Sequence, residues 1–302
     1  MNGKIMKITK VEIKGLWNRF DLSWDLHPDV NVLSGINGSG KSTILQCVAQ
    51  LILTGQLPDN IKNVVRSVNV IFDNGKSLFY GENEADNTVS DSTQRVIPGS
   101  DFDAKVELIS TFDNEILEVG RRPDQQVRTE LDRDIFRLQK QYLDYQLNIS
   151  KKTFEIVKQY NGHSQEKVME VMRQQERFLE IVDYLFKDTD KKINREKNEI
   201  VFVSGSDEIS AYDLSSGEKQ ILVILLTVLV QDNKPLILFM DEPEISLHFD
   251  WQKKLIQYIR EINANVQIIL ATHSPAIIIE GWGNKVAEVR DLLTFDRLKA
   301  VQ

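Results

Sequence analysis

Residues 35–43 read GINGSGKST, and no other stretch constrains the fold as strongly. They fit G-x-x-x-x-G-K-[ST], a loop whose backbone N–H groups close around phosphate when it joins a strand to a helix. Both neighbours are present. VNVLSG (30–35) reads as an apolar strand entering a glycine turn, and STILQCVAQLIL (42–53) has helical character. Gly35, Gly38 and Gly40 let the backbone turn tightly and aim its N–H groups inward. The helix start adds a partial positive charge. Lys41 is placed to reach the outer phosphates and the Ser42 hydroxyl to bind Mg²⁺, with Asn37, Ser39 and Thr43 completing the phosphate-facing set.

Two more apolar runs end in chemistry. PLILFMDEPE (235–244) is a continuous run closing on carboxylates, as expected of a parallel strand buried on both faces. Asp241 at its end would hold Mg²⁺ through water, and Glu242 would orient and deprotonate an attacking water. Adjacent acids at a buried strand end are costly unless a cation or water meets them. VQIILATHSP (266–275) is a second buried strand, and His273 at its end can bond the γ-phosphate or the lytic water.

LSSGEKQ (214–220) runs directly into ILVILLTVLV (221–230). Ser215 or Ser216 can cap the helix starting near Gly217. The capped end exposes N–H groups, and the glycine permits close approach. With one phosphate loop already in the chain, this second helix end suggests a nucleotide held between two copies.

The remaining segments set the organisation. KITKVEIKGL alternates as a half-buried strand, and Lys4, Lys7, Lys10 and Lys14 in this first strand region read as a solvated strand edge. VVRSVNVIF, the turn Asp73-Asn74-Gly75 and KSLFYG make a hairpin, AKVELISTF (104–112) adds a strand, and 82–101 reads as a polar loop. From 130 to 197 Leu131, Ile135, Leu138, Tyr142, Tyr145 and Ile149 keep a 4-3-4-3-4 spacing, broken at Asn161-Gly162 and resumed from Val168. This predicts an antiparallel helical hairpin with arms of roughly 28 residues, or roughly 40 Å. The expected organisation is 1–129, the hairpin 130–197, and 198–302.

Composition narrows the partners. The net charge of −8 disfavours a mainly basic nucleic-acid binder. The single cysteine, Cys47, reads as a buried thiol in a reducing cytosol. No signal peptide opens the sequence, and the longest apolar run is about half a bilayer crossing, so a cytoplasmic protein without membrane contact is expected.

GINGSGKS, LSSGEKQ, LFMDEPE, SLH and ATHSP follow one another in the order of an ABC-type ATPase head. The set resembles the SMC/RecF/OLD group over residues 5 to 290, with the hairpin as its variable coiled-coil insertion. The implied fold is α/β, a P-loop NTPase (ABC ATPase head) with an antiparallel β lobe, fitted to 64–119, and the inserted antiparallel helical hairpin. The resemblance implies ATP and Mg²⁺ as cofactors and Mg-dependent, slow hydrolysis. Ser215, Ser216, Gly217 and Glu218 become the signature that meets ATP held by a partner subunit. Ser246, Leu247 and His248 become the loop that crosses to that partner. Lys41, Glu242 and His273 become the catalytic set.

The sequence departs from the family pattern at the Q-loop, where STFDN (110–114) stands and Gln94 and Gln125 are weak substitutes. It has no Cys-x-x-Cys at the hairpin tip, so a zinc hook is not expected, nor is an attached nuclease after residue 290. A head of this size resembles the ATPase subunits of bacterial anti-phage systems of PARIS or Septu type. That implies a homodimer closing on ATP, or a higher oligomer, that controls a separate effector such as a nuclease. The alternative is a RecF- or SMC-like DNA-binding ATPase.

Overall fold

A computed structural model describes residues 6–81, 105–110, 127–160 and 165–295. In chain order the elements are β1 (Ile8–Leu16), β2 (Phe20–Asp25), β3 (Val30–Ser34), α1 (Lys41–Thr54), α2 (Asp59–Lys62), β4 (Ser67–Phe72), β5 (Ser77–Gly81) and β6 (Lys105–Ser110). There follow α3 (Glu130–Tyr160), α4 (Gln165–Leu185), β7 (Lys192–Ile193), β8 (Val201–Ser204), β9 (Asp207–Ser210) and α5 (Ser216–Leu229). The last are β10 (Leu236–Asp241), α6 (Phe249–Ile262), β11 (Val266–Thr272), α7 (Pro275–Ile279), β12 (Val286–Glu288), α8 (Val289–Leu292) and β13 (Leu293–Phe295). They divide into two compact units, one of residues 1–110, 235–243 and 266–302, the other of 111–234 and 244–265.

The first unit holds two sheets. One is antiparallel with order β13-β2-β1-β4-β5, and the other has order β12-β3-β11-β10-β6 with every pair parallel. Every residue of β10 and β11 is buried, which explains their unbroken apolar runs. Helix α1 buries a broad apolar face, Ile44, Leu45, Cys47, Val48, Ala49, Leu51 and Ile52, which both sheets share. Its Leu45, Val48 and Ile52 share one core with Val11 and Val70 of the antiparallel sheet and with Phe239 and Ile269 of the parallel one. Each such side chain contributes about 1.5–3 kcal/mol on burial. Gln267 joins the two sheets: its amide accepts from Ile8 N–H at 2.9 Å and donates to Ile8 O at 2.7 Å. Cys47 is buried in this core, as expected, and burial pushes its thiol up to about 12.

Two expectations are corrected here. The strand at 104–112 does not join the antiparallel lobe. Its described part, β6, pairs in parallel with β10, Lys105 facing Leu236, and Lys105 N–H donates to Pro235 O at 3.1 Å. Pairing partners are set by tertiary contacts, which a short extended run does not encode. The lysines of β1 also stand on no edge. Strand β1 lies between β2 and β4, and Lys10 and Lys14 lie on its polar side, paired with Glu12 at 2.9 Å and Asp21 at 3.3 Å.

The second unit is helical. Helix α5 is buried from Gly217 to Leu229 apart from the half-buried Lys219, and α3, α4 and α6 pack around it. Helices α3 and α4 run antiparallel, and Gln175 Nε2 donates to Tyr142 Oη at 3.0 Å. Their arms are unequal, 31 and 21 residues. The second stops at Leu185, short of residue 197, because residues 187–189 make a single tight turn and Asp190 adopts φ 52°. The chain then enters a three-stranded antiparallel sheet, β7-β8-β9, of which only β8 was expected. The buried Gln139 fastens α3 to that sheet, accepting from Ile200 N–H at 2.8 Å and donating to Ile200 O at 3.1 Å. The loop 82–101, the turn at Asn161-Gly162, Gln94 and Gln125 lie outside the described residues, as does all of STFDN but its first residue.

Candidate nucleotide site

The phosphate loop occupies the step from β3 to α1. Gly38 and Gly40 adopt φ 78° and 92°, left-handed angles that favour glycine. Gly40 stands at the cap of α1, where no side chain accepts from the helix and no acid sits in the first turn. The first-turn N–H groups are therefore not satisfied by a side-chain cap and suit an external anion. The Ser39 hydroxyl is buried without a hydrogen-bond partner among the described residues, so it too can serve a bound polar group.

Three strand ends converge on this loop. Ser42 Oγ donates to Asp241 Oδ1 at 2.9 Å. Lys41 Nζ, itself buried, donates to Gly35 O at 3.1 Å and lies 2.6 Å from His273 Nε2. His273 Nε2 is in turn 2.9 Å from Glu242 Oε1. Glu242 follows β10 in the left-handed region at φ 49°, held by its N–H donating to Ala271 O at 2.8 Å. For a glutamate that conformation is strained, of order 1–3 kcal/mol, and it persists where surrounding contacts over-determine it. Trp17, Asn37, Gly38, Gly40, Lys41, Ser42, Thr43, Glu242 and His273 line a cavity of about 390 Å³.

The donor set fits a magnesium–triphosphate. Mg²⁺ binds through one or two protein oxygens plus water and phosphate, and Ser42 with Asp241 supplies two hard oxygens. The described residues hold no group of three or more His, Cys, Asp or Glu suited to a metal.

The other predicted residues gather in the second unit. Ser215 caps α5: its Oγ accepts from Glu218 N–H at 3.4 Å while Glu218 Oε2 accepts from Ser215 N–H at 3.0 Å, a capping box. Ser215 and Ser216 are exposed, whereas Gly217 is buried. A Cβ on Gly217 would lie 2.2 Å from Ser246 O, so the glycine lets this helix end and Ser246, at φ 68°, touch. Glu218 has a different part from the one expected. Its carboxylate turns inward, 3 % exposed, onto Lys191 at 2.7 Å and Thr189 at 3.0 Å. Burial pushes its pKa up, and hydrogen bonds from Lys191, Ser215 and Thr189 together outweigh that and leave it lowered. Leu247 is buried, and His248 caps α6.

Trp17 was missed. Nothing in the sequence ties a residue of the β1–β2 turn to a loop that begins eighteen residues later. A larger groove of about 1200 Å³ runs along α4 in the second unit, lined in part by Met169, Met172, Arg177 and Glu261, and carries none of this chemistry.

Loop, serine-capped helix, strand-end acids and histidine follow one another along the chain in the order of an ABC-type ATPase head. The chain belongs to the family described as "AAA domain, putative AbiEii toxin, Type IV TA system", matched over residues 30–280. It is 27 % identical over 146 residues to "Retron Vc95 probable ATPase" of Vibrio cholerae serotype O1 biovar El Tor, covering 44 % of this chain and 28 % of that protein. It is 31 % identical over 97 residues to "Retron Ec83 probable ATPase" of Escherichia coli, covering 28 % of this chain and 18 % of that protein. The matches thus span less than a third of these relatives. Among solved structures, an SMC head bound to the C-terminal winged-helix domain of ScpA aligns over 93 % of this chain and 94 % of its own, at 16 % identity and a TM-score of 0.49. No described helix is long and apolar enough to cross a membrane.

Proposed function

We propose that this chain binds and hydrolyses Mg-ATP, dimerises around it, and serves as a switch controlling a separate effector in anti-phage defence. The observation that carries the catalytic part is the convergence of Lys41, Ser42, Asp241, Glu242 and His273 on one glycine-rich loop. Gly35 to Thr43 hold the phosphates through backbone N–H groups and the positive helix end. Lys41 neutralises charge on the outer phosphates. Ser42 and Asp241 would hold Mg²⁺, which would supply charge neutralisation at the phosphate oxygens. Glu242 accepts the proton of the attacking water.

The chain Lys41–His273–Glu242 suggests how the site changes partners. One imidazole nitrogen cannot accept from Lys41 and donate to Glu242 at once. When a phosphate takes the Lys41 ammonium, the imidazole proton moves from Nδ1 to Nε2 through solvent, and Nε2–H then donates to Glu242 and orients the base. Ser215, Ser216, Gly217 and Ser246 form the surface that a second copy's ATP meets. Slow hydrolysis would make the ATP-bound pair a lasting signal. The retron names of the relatives support the defence setting.

The test uses tagged Glu242→Gln protein expressed with its neighbouring genes and purified with Mg-ATP. A stoichiometric partner protein with little nucleic acid is expected. Bound DNA lost at raised salt, with no partner, would replace the switch by a RecF- or SMC-like clamp.

A further inference from the structure

Helix α4 has two working faces. One is buried in the second unit through Phe178, Ile181, Val182 and Leu185. The other carries Glu166, Met169, Arg173, Glu176 and Glu180, whose 3-4-3-4 spacing lines them up along one side of the helix. That side is a wall of the groove of about 1200 Å³. Lys152 of α3, Asp232 and Asn233 of the α5–β10 turn, and Ile262 and Ala264 at the end of α6 complete it. From Glu166 to Glu180 the wall runs roughly 21 Å. A helix of ordinary diameter fills roughly 120 Å³ per residue, so the groove has room for roughly ten residues, or about three turns.

The groove combines exposed apolar surface with an excess of acid. Met169 and Met172 are 62 % and 38 % exposed, and their unbranched thioethers adapt to many apolar partners. Among the described residues six carboxylates line it, Glu166, Glu170, Glu176, Glu180, Asp232 and Glu261, against three cations, Lys152, Arg173 and Arg177. The cations are already held from within: Lys152 by Asp232, Arg173 by Glu170 at 3.7 Å, and Arg177 by Glu180 at 2.9 Å and Glu261 at 2.6 Å. Glu166 and Glu176 are exposed and meet no cation among the described residues. They stand three residues to one side of Met169 and four to the other of Met172, so each methionine has a carboxylate one turn away.

A straight helix face flanked by acids selects its occupant. Nucleic acid is repelled, because its phosphates meet carboxylates whose neighbouring cations are taken. A second copy docking by the same face brings the same acids against these. A helix with an apolar stripe and Lys or Arg beside it satisfies both components, and it packs along α4 by ridges and grooves. We propose that this groove takes a basic amphipathic helix of a separate protein, its apolar stripe on Met169 and Met172 and its cations on Glu166 and Glu176. The proposal rests on the switch reading for the existence of a held partner and adds the surface that holds it.

The experiment is fluorescence anisotropy of the full chain with three labelled synthetic helices of about 18 residues, long enough to form in isolation. One carries a leucine stripe flanked by Lys and Arg, the second the same stripe flanked by Glu, and the third the basic composition with its leucines shuffled off the stripe. The first should bind at least about tenfold more tightly than either other. Glu166→Lys with Glu176→Lys should cost it about tenfold and reverse the preference toward the acidic helix. Met169→Ser with Met172→Ser should weaken it by a similar factor. All four positions are exposed, so these variants should keep the wild-type melting temperature. No binding of the basic helix, equal binding of the shuffled one, or affinities unchanged in both double variants would overturn the groove. So would self-association in sedimentation velocity that Met169→Ser with Met172→Ser abolishes, since the groove would then join two copies. Each of these leaves the switch reading standing, because that is read separately by what co-purifies with Glu242→Gln.

Discussion

Helices α1 and α5 begin alike and end their first turns differently. Each is buried along most of its length, and each opens on serines and glycine. At α1 the cap is Gly40 in the left-handed region, with no side-chain acceptor. At α5 the cap is Ser215, locked by Glu218 into a reciprocal box. The first helix end leaves its N–H groups to an outside anion. The second spends one on its own serine and leaves Ser215 and Ser216 exposed. An open helix end and a capped one are thus made from the same residue types, and the difference is whether a carboxylate three residues on closes the end.

The contrast can be broken at the catalytic side first. Glu242→Gln should lower steady-state phosphate release from Mg-ATP by about 10²–10⁴-fold while ATP still binds, as read by equilibrium titration. A variant that loses binding in parallel would remove Glu242 as the base.

Next in size is the anchoring of the α5 end. Asp132, 2 % exposed, accepts from Lys219 Nζ at 2.7 Å and from Arg128 and Thr129 N–H at 2.9 and 3.1 Å. Asp132→Ala strands a largely buried ammonium and should cost about 3–5 kcal/mol in denaturant unfolding. A loss below about 1 kcal/mol would mean that water reaches Lys219.

A paired substitution then compares the helix ends directly. Ser215→Ala should cost about 1 kcal/mol of stability. Ser39→Ala removes a hydroxyl with no partner among the described residues and should be close to neutral in thermal unfolding, yet weaken ATP binding. Equal stability losses would erase the distinction between a filled cap and an open one.

The smallest effect is in acid. Glu218 is held below its ordinary value of 4.5 by hydrogen bonds that outweigh burial. A lowered folded pKa stabilises the fold above the unfolded value, and this contribution fades as pH falls through the folded one. Unfolding free energy followed downward from about pH 4.5 should therefore fall more steeply for wild type than for Glu218→Gln.

Much of the first unit was legible. The phosphate loop, β3, α1, β10 and β11 could be read because strands buried on both faces spell unbroken apolar runs, and because the loop needs glycines that few other structures need. The buried α5 was legible for the same reason. Strand β6 was visible as a strand and misplaced as a partner. The second hairpin arm was read too long because Asp190 in a left-handed turn ends it, and a single aspartate does not announce that. Strands β7 and β9 are too short for periodicity to register.

Sequence alone determined which chemistry is present: a lysine and serine after glycines, acids at one strand end, a histidine at another, serines at a helix mouth. Local spacing sets these, since each motif is built from residues adjacent in the chain. Tertiary structure alone decided which of them meet. Lys41 reaches His273 across 232 residues and Ser42 reaches Asp241 across 199, because parallel strands β3, β11 and β10 bring their ends to one side. It also turned Glu218 inward and laid Trp17 on Gly40, since those contacts follow from packing and from turn angles that no periodicity encodes.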